Sequence, residues 1–267
     1  MAEARDLRAG PVARAVVFDL DGTLVETEEL KALSYARAAI SLRPGQVDAS
    51  EVVEAYRPLA GRAREEVARS LLARFALEAP AARLMGELGA TTPWQAYLMV
   101  RVRVYEAMLG DVALIRRQEY THATSLLRRL RRARVPTALA TMSYLSQVER
   151  ILAALGLQRE FDAVVTRDDV RRPKPDPEIY VAAASRLGLA PASCLVIEDS
   201  LPGVQAALAA GASCVAVGTS LTRDALHTGG VSPPARILDD PARLGPVVLT
   251  LLAEPAAGVA PQEPTRE

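Results

Sequence analysis

Several carboxylates, two hydroxyls and one lysine stand directly after short apolar runs of this chain. Ala15-Val16-Val17-Phe18 ends on Asp19, with Asp21, Gly22 and Thr23 close behind. The run Val135-Pro136-Thr137-Ala138-Leu139-Ala140 ends on Thr141, with Ser143 two residues on. Ala163-Val164-Val165 precedes the segment that holds Lys174, and Cys194-Leu195-Val196-Ile197 ends on Glu198 and Asp199. Short, fully apolar runs read as buried strands of a parallel sheet, and open α/β sheets bind ligands at the carboxyl ends of their strands. Carboxylates offer the hard oxygens that Mg²⁺ prefers, whereas hydroxyls and an ammonium suit the oxygens of a phosphate. A carboxylate beside a phosphate is repulsive unless a cation lies between them. The residue types therefore point to metal-assisted phosphate chemistry.

Lysine usage sharpens this reading. Lys and Arg total 32, yet only Lys31 and Lys174 are lysines. A chain that uses arginine wherever a generic cation will do keeps lysine where a compact ammonium is required. Lys174 stands in Arg172-Pro173-Lys174-Pro175-Asp176-Pro177, a segment that proline holds rigid and extended.

The elements that must position these groups follow from the pattern. Cys214-Val215-Ala216-Val217 is a fifth strand-like run. Helical stretches over 123–134, 145–155, 178–187 and 203–210 separate the runs, and Gly156, Gly188 and Gly211 stop the last three. Strands alternating with helices imply βαβ units around a parallel sheet. Residues from about 28 to 110 break the alternation and read as mostly helical, an insert in the α/β frame. The chain has 267 residues and half are hydrophobic, ample for one such core with an insert.

Composition excludes other classes. The formal net charge is zero, so no basic footprint for nucleic acid is present. Arg128-Arg129-Leu130-Arg131-Arg132 reads as the solvated face of a helix. Cys194 and Cys214 read as buried thiols, too few for a disulfide framework or a thiolate metal site. The first 14 residues lack the apolar region of a signal peptide, and no apolar run reaches membrane-spanning length. A cytoplasmic protein with no membrane partner is expected. The tail over 254–267, rich in Pro, Ala and Glu, reads as disordered.

Phe18-Asp19-Leu20-Asp21-Gly22-Thr23-Leu24 resembles the opening motif of the haloacid dehalogenase-like hydrolase superfamily. Thr141, Lys174 and Val196-Ile197-Glu198-Asp199-Ser200, leading into Gly203 and Ala206, resemble its second, third and fourth motifs. The resemblance spans roughly residues 14 to 220. It implies an α/β fold with a Rossmann-like parallel sheet core (12–27 and 112–252), an inserted α-helical cap domain (28–111) and a tail (253–267). It also implies Asp19 as nucleophile and Asp21 as general acid–base. Mg²⁺ would be held by Asp19, the Asp21 carbonyl and Asp199, with Glu198 as ligand or support. Thr141 and Lys174 would hold phosphoryl oxygens, joined by Ser143 and by backbone N–H groups near Gly22. An intact Asp21 argues for an oxygen leaving group, and so against the dehalogenase and phosphonate-cleaving branches.

The insert resembles the helical cap of the β-phosphoglucomutase-like, CbbY-like and phosphoglycolate phosphatase-like branch, with hinges near Glu26-Thr27-Glu28 and Gly110-Asp111. Leu59-Ala60-Gly61-Arg62-Ala63-Arg64-Glu65 resembles its substrate-contacting cap segment, with Gly61 and Arg64 at the matching positions. Lys31, Arg64 and either Arg101 or Arg103 are candidate contacts to an anionic substrate. Lys31 stands where the mutases carry histidine, and Tyr144 where they carry lysine. Met142 is unusual for the second motif and reads as apolar filler. Thr121-His122-Ala123 replaces the Pro-Gly-Val that usually precedes the second-motif helix. The implied activity is hydrolysis of a small phosphorylated metabolite, a sugar phosphate or a phosphoglycolate-like compound, by a monomer or homodimer. A phosphosugar mutase and a catalytically silent metabolite-binding protein are the alternatives.

Overall fold

The computed structural model describes residues 14–60, 62–230 and 236–253. The candidate contact Gly61 and the tail expected over 254–267 lie outside these residues. Two compact units are present. Of the described residues, one comprises those up to Leu24, Tyr120–Leu145 and those from Arg159 onward; the other comprises those within Val25–Glu119 and Ser146–Gln158.

The first unit is built on six strands, β1 (Ala15–Phe18), β2 (Thr137–Ala140), β3 (Ala163–Val165), β4 (Cys194–Glu198), β5 (Ser213–Val217) and β6 (Ile237–Leu238). They pair in the order β3-β2-β1-β4-β5-β6, and every pairing is parallel. This is an α/β Rossmann-like sheet. All residues of β1, β2 and β4 are buried, which is why these strands are almost wholly apolar in sequence, Thr137 and Glu198 excepted. β1 is central. The chain runs outward through β2 and β3, then returns to place β4 on the other side of β1. The carboxyl ends of β1, β2 and β4 are therefore neighbours at the switch in strand order, the place where such sheets bind ligands. Gly156, Gly188 and Gly211 take positive φ, ending their helices as the sequence predicts. β6 has only two residues and escapes pattern analysis, because so short a segment carries no period.

The arginine run lies on helix Thr121–Arg132, whose buried residues are Ala123, Thr124, Leu126, Leu127 and Leu130. Arg129 and Arg132 are exposed, and Arg131 pairs with Asp162 at 2.5 Å, so the run is a solvated face. Both cysteines are buried free thiols.

The second unit is helical, with helices Thr27–Leu42, Ala49–Tyr56, Arg64–Arg74 and Pro93–Met108 the longest of the insert. Caps set their starts. Asp48 accepts from the Ser50 and Glu51 N–H groups, and Thr92 and Gln95 form a capping box. Tyr35, Tyr56 and Tyr97 cluster in its core with ring centroids 5.4 and 5.9 Å apart, and the Tyr97 hydroxyl donates to the Tyr35 carbonyl at 2.9 Å.

The limits of this unit differ from those expected at 28 and 111. Val25 and Glu119 form an antiparallel bridge, and Glu26 N–H donates to Gln118 O at 2.8 Å. Helix Val112–Arg117 joins the helical unit, as does the helix Leu145–Leu155 from Ser146 on. Arg116 Nε donates to the Ala154 carbonyl at 2.9 Å, and Gln147 and Arg150 both donate to Glu106 at 3.0 and 2.8 Å. These bonds join segments far apart in sequence, which no local pattern reveals. No helix among the described residues is long and apolar enough to cross a membrane.

Candidate active site

The end of β1 delivers Asp19 into a buried position, 5% exposed, with its N–H donating to Ile197 O at 2.9 Å. The chain then turns through Gly22 at φ +83°. The turn serves a close approach. A Cβ on Gly22 would lie 2.1 Å from Asp199 Oδ2, so the loop after β1 packs directly against the carboxylate after β4.

Asp21 meets both hydroxyls that follow β2. Ser143 Oγ donates to Asp21 Oδ2 at 2.7 Å and Thr141 Oγ1 at 3.2 Å, while Thr141 Oγ1 accepts from Ser143 N–H at 3.1 Å. Ser143 is thus brought to the same carboxylate as Thr141. Met142 between them is half-buried and packs against the core, as a filler would. Tyr144 is 43% exposed.

Lys174 is aimed by a clamped loop. The Glu178 carboxylate accepts from the N–H groups of Arg171 and Arg172 at 3.1 and 3.0 Å, and Asp176 N–H donates to Pro173 O at 3.0 Å. The Lys174 ammonium reaches Asp19 Oδ1 at 2.7 Å, Glu198 Oε1 at 2.6 Å and Ala140 O at 3.3 Å. Three acceptors around three N–H donors fit an ammonium and leave no place for a planar guanidinium. This is the physical reason for a lysine in an arginine-using chain.

Glu198 is the most constrained acid, 1% exposed. Oε1 accepts from Lys174 and from the Tyr180 hydroxyl, the latter at 2.6 Å. Oε2 accepts from Asp199 N–H, Ser200 N–H and Ser200 Oγ, each at 3.0 Å. Ser200, not the acids, is the N-cap of helix Leu201–Ala209, accepting from Gly203 N–H. Sequence reasoning misses Tyr180. Its place on the buried face of helix Glu178–Arg186 is legible, and a buried tyrosine hydroxyl needs a partner, but the partner is not.

Glycine again makes room: a Cβ on Gly203 would lie 1.8 Å from Glu198 Oε1. Gly203→Ala is therefore expected to destabilise the protein by about 1–3 kcal/mol through overpacking. Thermal denaturation checks this, and an unchanged midpoint would mean that Glu198 moves aside freely.

The electrostatics show an excess of negative charge. Asp19 and Glu198 share the Lys174 ammonium, Asp199 offers an oxygen within 4.8 Å of theirs, and Asp21 acts on Asp19. Burial pushes the Asp19 carboxyl up to about 8 even though the Lys174 ammonium opposes it, and Glu198 and Asp21 add to the rise. Burial alone would lower Lys174, but Asp19 and Glu198 outweigh it and hold the ammonium charged. Burial disfavours ionised Glu198, yet Lys174 and the surrounding donors hold it below the ordinary carboxylate range. Asp19, Glu198 and Asp199 are all buried and each offers one oxygen, all within 4.8 Å of one another. Oxygen donors in this number and spacing fit a hard divalent cation.

The remaining candidates lie in the helical unit. Lys31 pairs with Glu28 at 2.6 Å, Arg64 and Arg103 are exposed, and Arg101 is buried.

A family model described as haloacid dehalogenase-like hydrolase matches residues 13–211. Validoxylamine A 7'-phosphate phosphatase from Streptomyces hygroscopicus subsp. limoneus is 31% identical over 82% of this chain and 92% of its own length. A phosphorylated carbohydrates phosphatase from Thermotoga maritima is 30% identical over 74% of this chain and 81% of its own. The crystal structure of CbbY from Rhodobacter sphaeroides in complex with xylulose-(1,5)bisphosphate superposes with a TM-score of 0.62 at 26% identity, covering 87% of this chain and 96% of CbbY.

Proposed function

The chain belongs to the haloacid dehalogenase-like hydrolases, and from that premise we propose that it is a Mg²⁺-dependent phosphatase of a small phosphorylated metabolite, working through an aspartyl-phosphate on Asp19. The observation that carries this reading is the buried meeting of Asp19, Lys174, Glu198 and Asp199 beside Asp21 and its two hydroxyl partners. The phosphatase relatives support a phosphorylated sugar or sugar-like substrate.

In the first step an Asp19 carboxylate oxygen attacks phosphorus. The bond from phosphorus to the substrate oxygen breaks, and Asp21 gives that oxygen a proton. In the second step Asp21 takes a proton from water, the water oxygen attacks phosphorus, and the Asp19–phosphorus bond breaks to release phosphate. Nucleophile and acid–base are thus separate carboxylates two residues apart on one turn. Thr141 and Ser143 orient Asp21, and Lys174 holds Asp19 and stabilises charge on the phosphoryl oxygens. Asp19, Asp199 and Glu198 would hold Mg²⁺, which supplies charge neutralisation between the phosphoryl group and the carboxylates.

Phosphate release from sugar phosphates, phosphoglycolate and nucleotides tests the reading. Activity is expected on at least one sugar phosphate and to fall at least about a hundredfold in EDTA, since a metal contributes several kcal/mol to such a transition state. Full activity in EDTA would sink the metal role. Conversion between isomeric sugar phosphates without phosphate release would replace the phosphatase by a mutase.

A further inference from the structure

Ser143, which donates to Asp21 at 2.7 Å, lies beyond the end of β2 at Ala140. Thr141 still has the sheet, since its N–H donates to Val165 O at 3.0 Å. Beyond its own bond to Thr141 Oγ1, Ser143 is held from the turn that follows β3. Its carbonyl accepts from Arg167 N–H at 3.1 Å. A little further on, Leu145 N–H donates to Asp168 Oδ2 at 2.8 Å. The turn that provides both groups is itself locked. Asp169 Oδ2 accepts from Thr166 N–H and Thr166 Oγ1 at 2.8 and 3.0 Å, and Asp169 Oδ1 pairs with Arg186 at 2.5 Å. Thr166 is 1% exposed, and its Oγ1 accepts from Asp168 N–H at 3.3 Å.

Leu145 opens helix Leu145–Leu155, so Asp168 caps that helix from another segment of the chain. A carboxylate there satisfies an N–H that has no partner within the helix, and it meets the positive end of the helix dipole. Asp168 is exposed, so its contribution is this bond and not core packing. The loop is therefore pinned at Ser143 and at Leu145, on either side of exposed Tyr144. A carboxylate that moves a proton needs its partners in place, and small displacements near the reacting atoms cost rate out of proportion to their size. We propose that Asp168 is a positioning residue. It holds the loop after β2 so that the Ser143 hydroxyl orients Asp21 for proton transfer. The inference rests on the reading of Asp21 as acid–base and extends it to a turn that touches neither the substrate nor the carboxylate cluster.

The test compares kcat/KM for the fastest sugar phosphate of the panel and for p-nitrophenyl phosphate. Asp168→Ala should lower the first roughly two- to thirtyfold, the range that a lost cap converts to in rate. Asp168→Asn should restore most of it, because the amide oxygen still accepts from Leu145 N–H. The nitrophenyl ester should lose much less, since its leaving group needs little protonation and so little from Asp21. Ser143→Ala should cost at least as much as Asp168→Ala, and adding Asp168→Ala to it should cost little more, because both act through one contact. Amide exchange over residues 141–145 should be faster in Asp168→Ala than in the wild type or Asp168→Asn. Equal losses on the two esters, or losses that add fully with Ser143→Ala, overturn the proposal and leave Asp168 a structural cap. Unchanged exchange in Asp168→Ala also overturns it. Phosphate release by the wild type with no effect of Asp168→Ala sinks this inference alone, whereas no release from any ester by the wild type sinks the reading of Asp21 and this inference with it.

Discussion

Asp19→Asn is expected to lower kcat for phosphate release by at least about 10⁴-fold, with the fold intact. The amide keeps the shape of the side chain but is not a nucleophile, and removing a covalent nucleophile typically costs this much or more. Stability should not fall with activity. Burial above all, with Glu198 and Asp21 adding to it, already pushes the carboxyl toward its neutral form against the Lys174 ammonium. A neutral isostere relieves that repulsion, while Lys174 keeps its bond to Glu198 at 2.6 Å. The thermal midpoint in EDTA should therefore match or exceed wild type. Single-turnover kinetics with the best substrate checks the chemistry. Residual activity above about one per cent of wild type would mean that water attacks directly and that Asp19 only positions the phosphate.

Lys174→Met should have the largest effect on stability. The ammonium side chain is 7% exposed and bridges Asp19 and Glu198. Deleting one partner of a buried ion network leaves the others uncompensated, at about 3–5 kcal/mol. For a chain of this size that is a fall in midpoint of roughly 6–20 °C. Mg²⁺ should restore part of it, because a divalent cation offsets the same carboxylates. Activity should drop about 10²–10³-fold through lost stabilisation of the phosphoryl oxygens. Lys174→Arg should rescue neither property, since three acceptors around one atom do not match a planar fork. A stable, active Lys174→Arg would show that charge alone matters at this position.

Much of this site is legible in the sequence. The apolar runs ending on Asp19, Thr141 and Glu198 mark strand ends because a strand buried on both faces is largely apolar, and polar groups gather at its carboxyl end, where such sheets bind ligands. Gly156, Gly188 and Gly211 mark helix ends because only glycine enters the left-handed region without strain. The scarcity of lysine leaves Lys31 and Lys174, and the flanking prolines single out Lys174, although its three acceptors come from other strands and carry no local signal.

Other features required the chain to fold. Tyr180 reads only as an apolar-face residue until its hydroxyl meets Glu198. Gly22 reads as a turn, and that the turn exists to admit Asp199 depends on β4 lying beside β1. The edges of the helical unit, and the membership of residues 146–158 in it, depend on Arg116, Gln147 and Arg150 finding partners about forty residues away. Arg101 is one of two arginines in Arg101-Val102-Arg103, and nothing local says which one is buried. By itself the sequence determined the alternation of strands and helices, the acidic turns and the phosphate chemistry, because propensity, burial period and side-chain type act within a few residues. The tertiary structure alone decided which carboxylate each donor serves and which arginine of the pair Arg101 and Arg103 is buried. Those outcomes depend on strand order and helix packing, which join residues far apart in the chain.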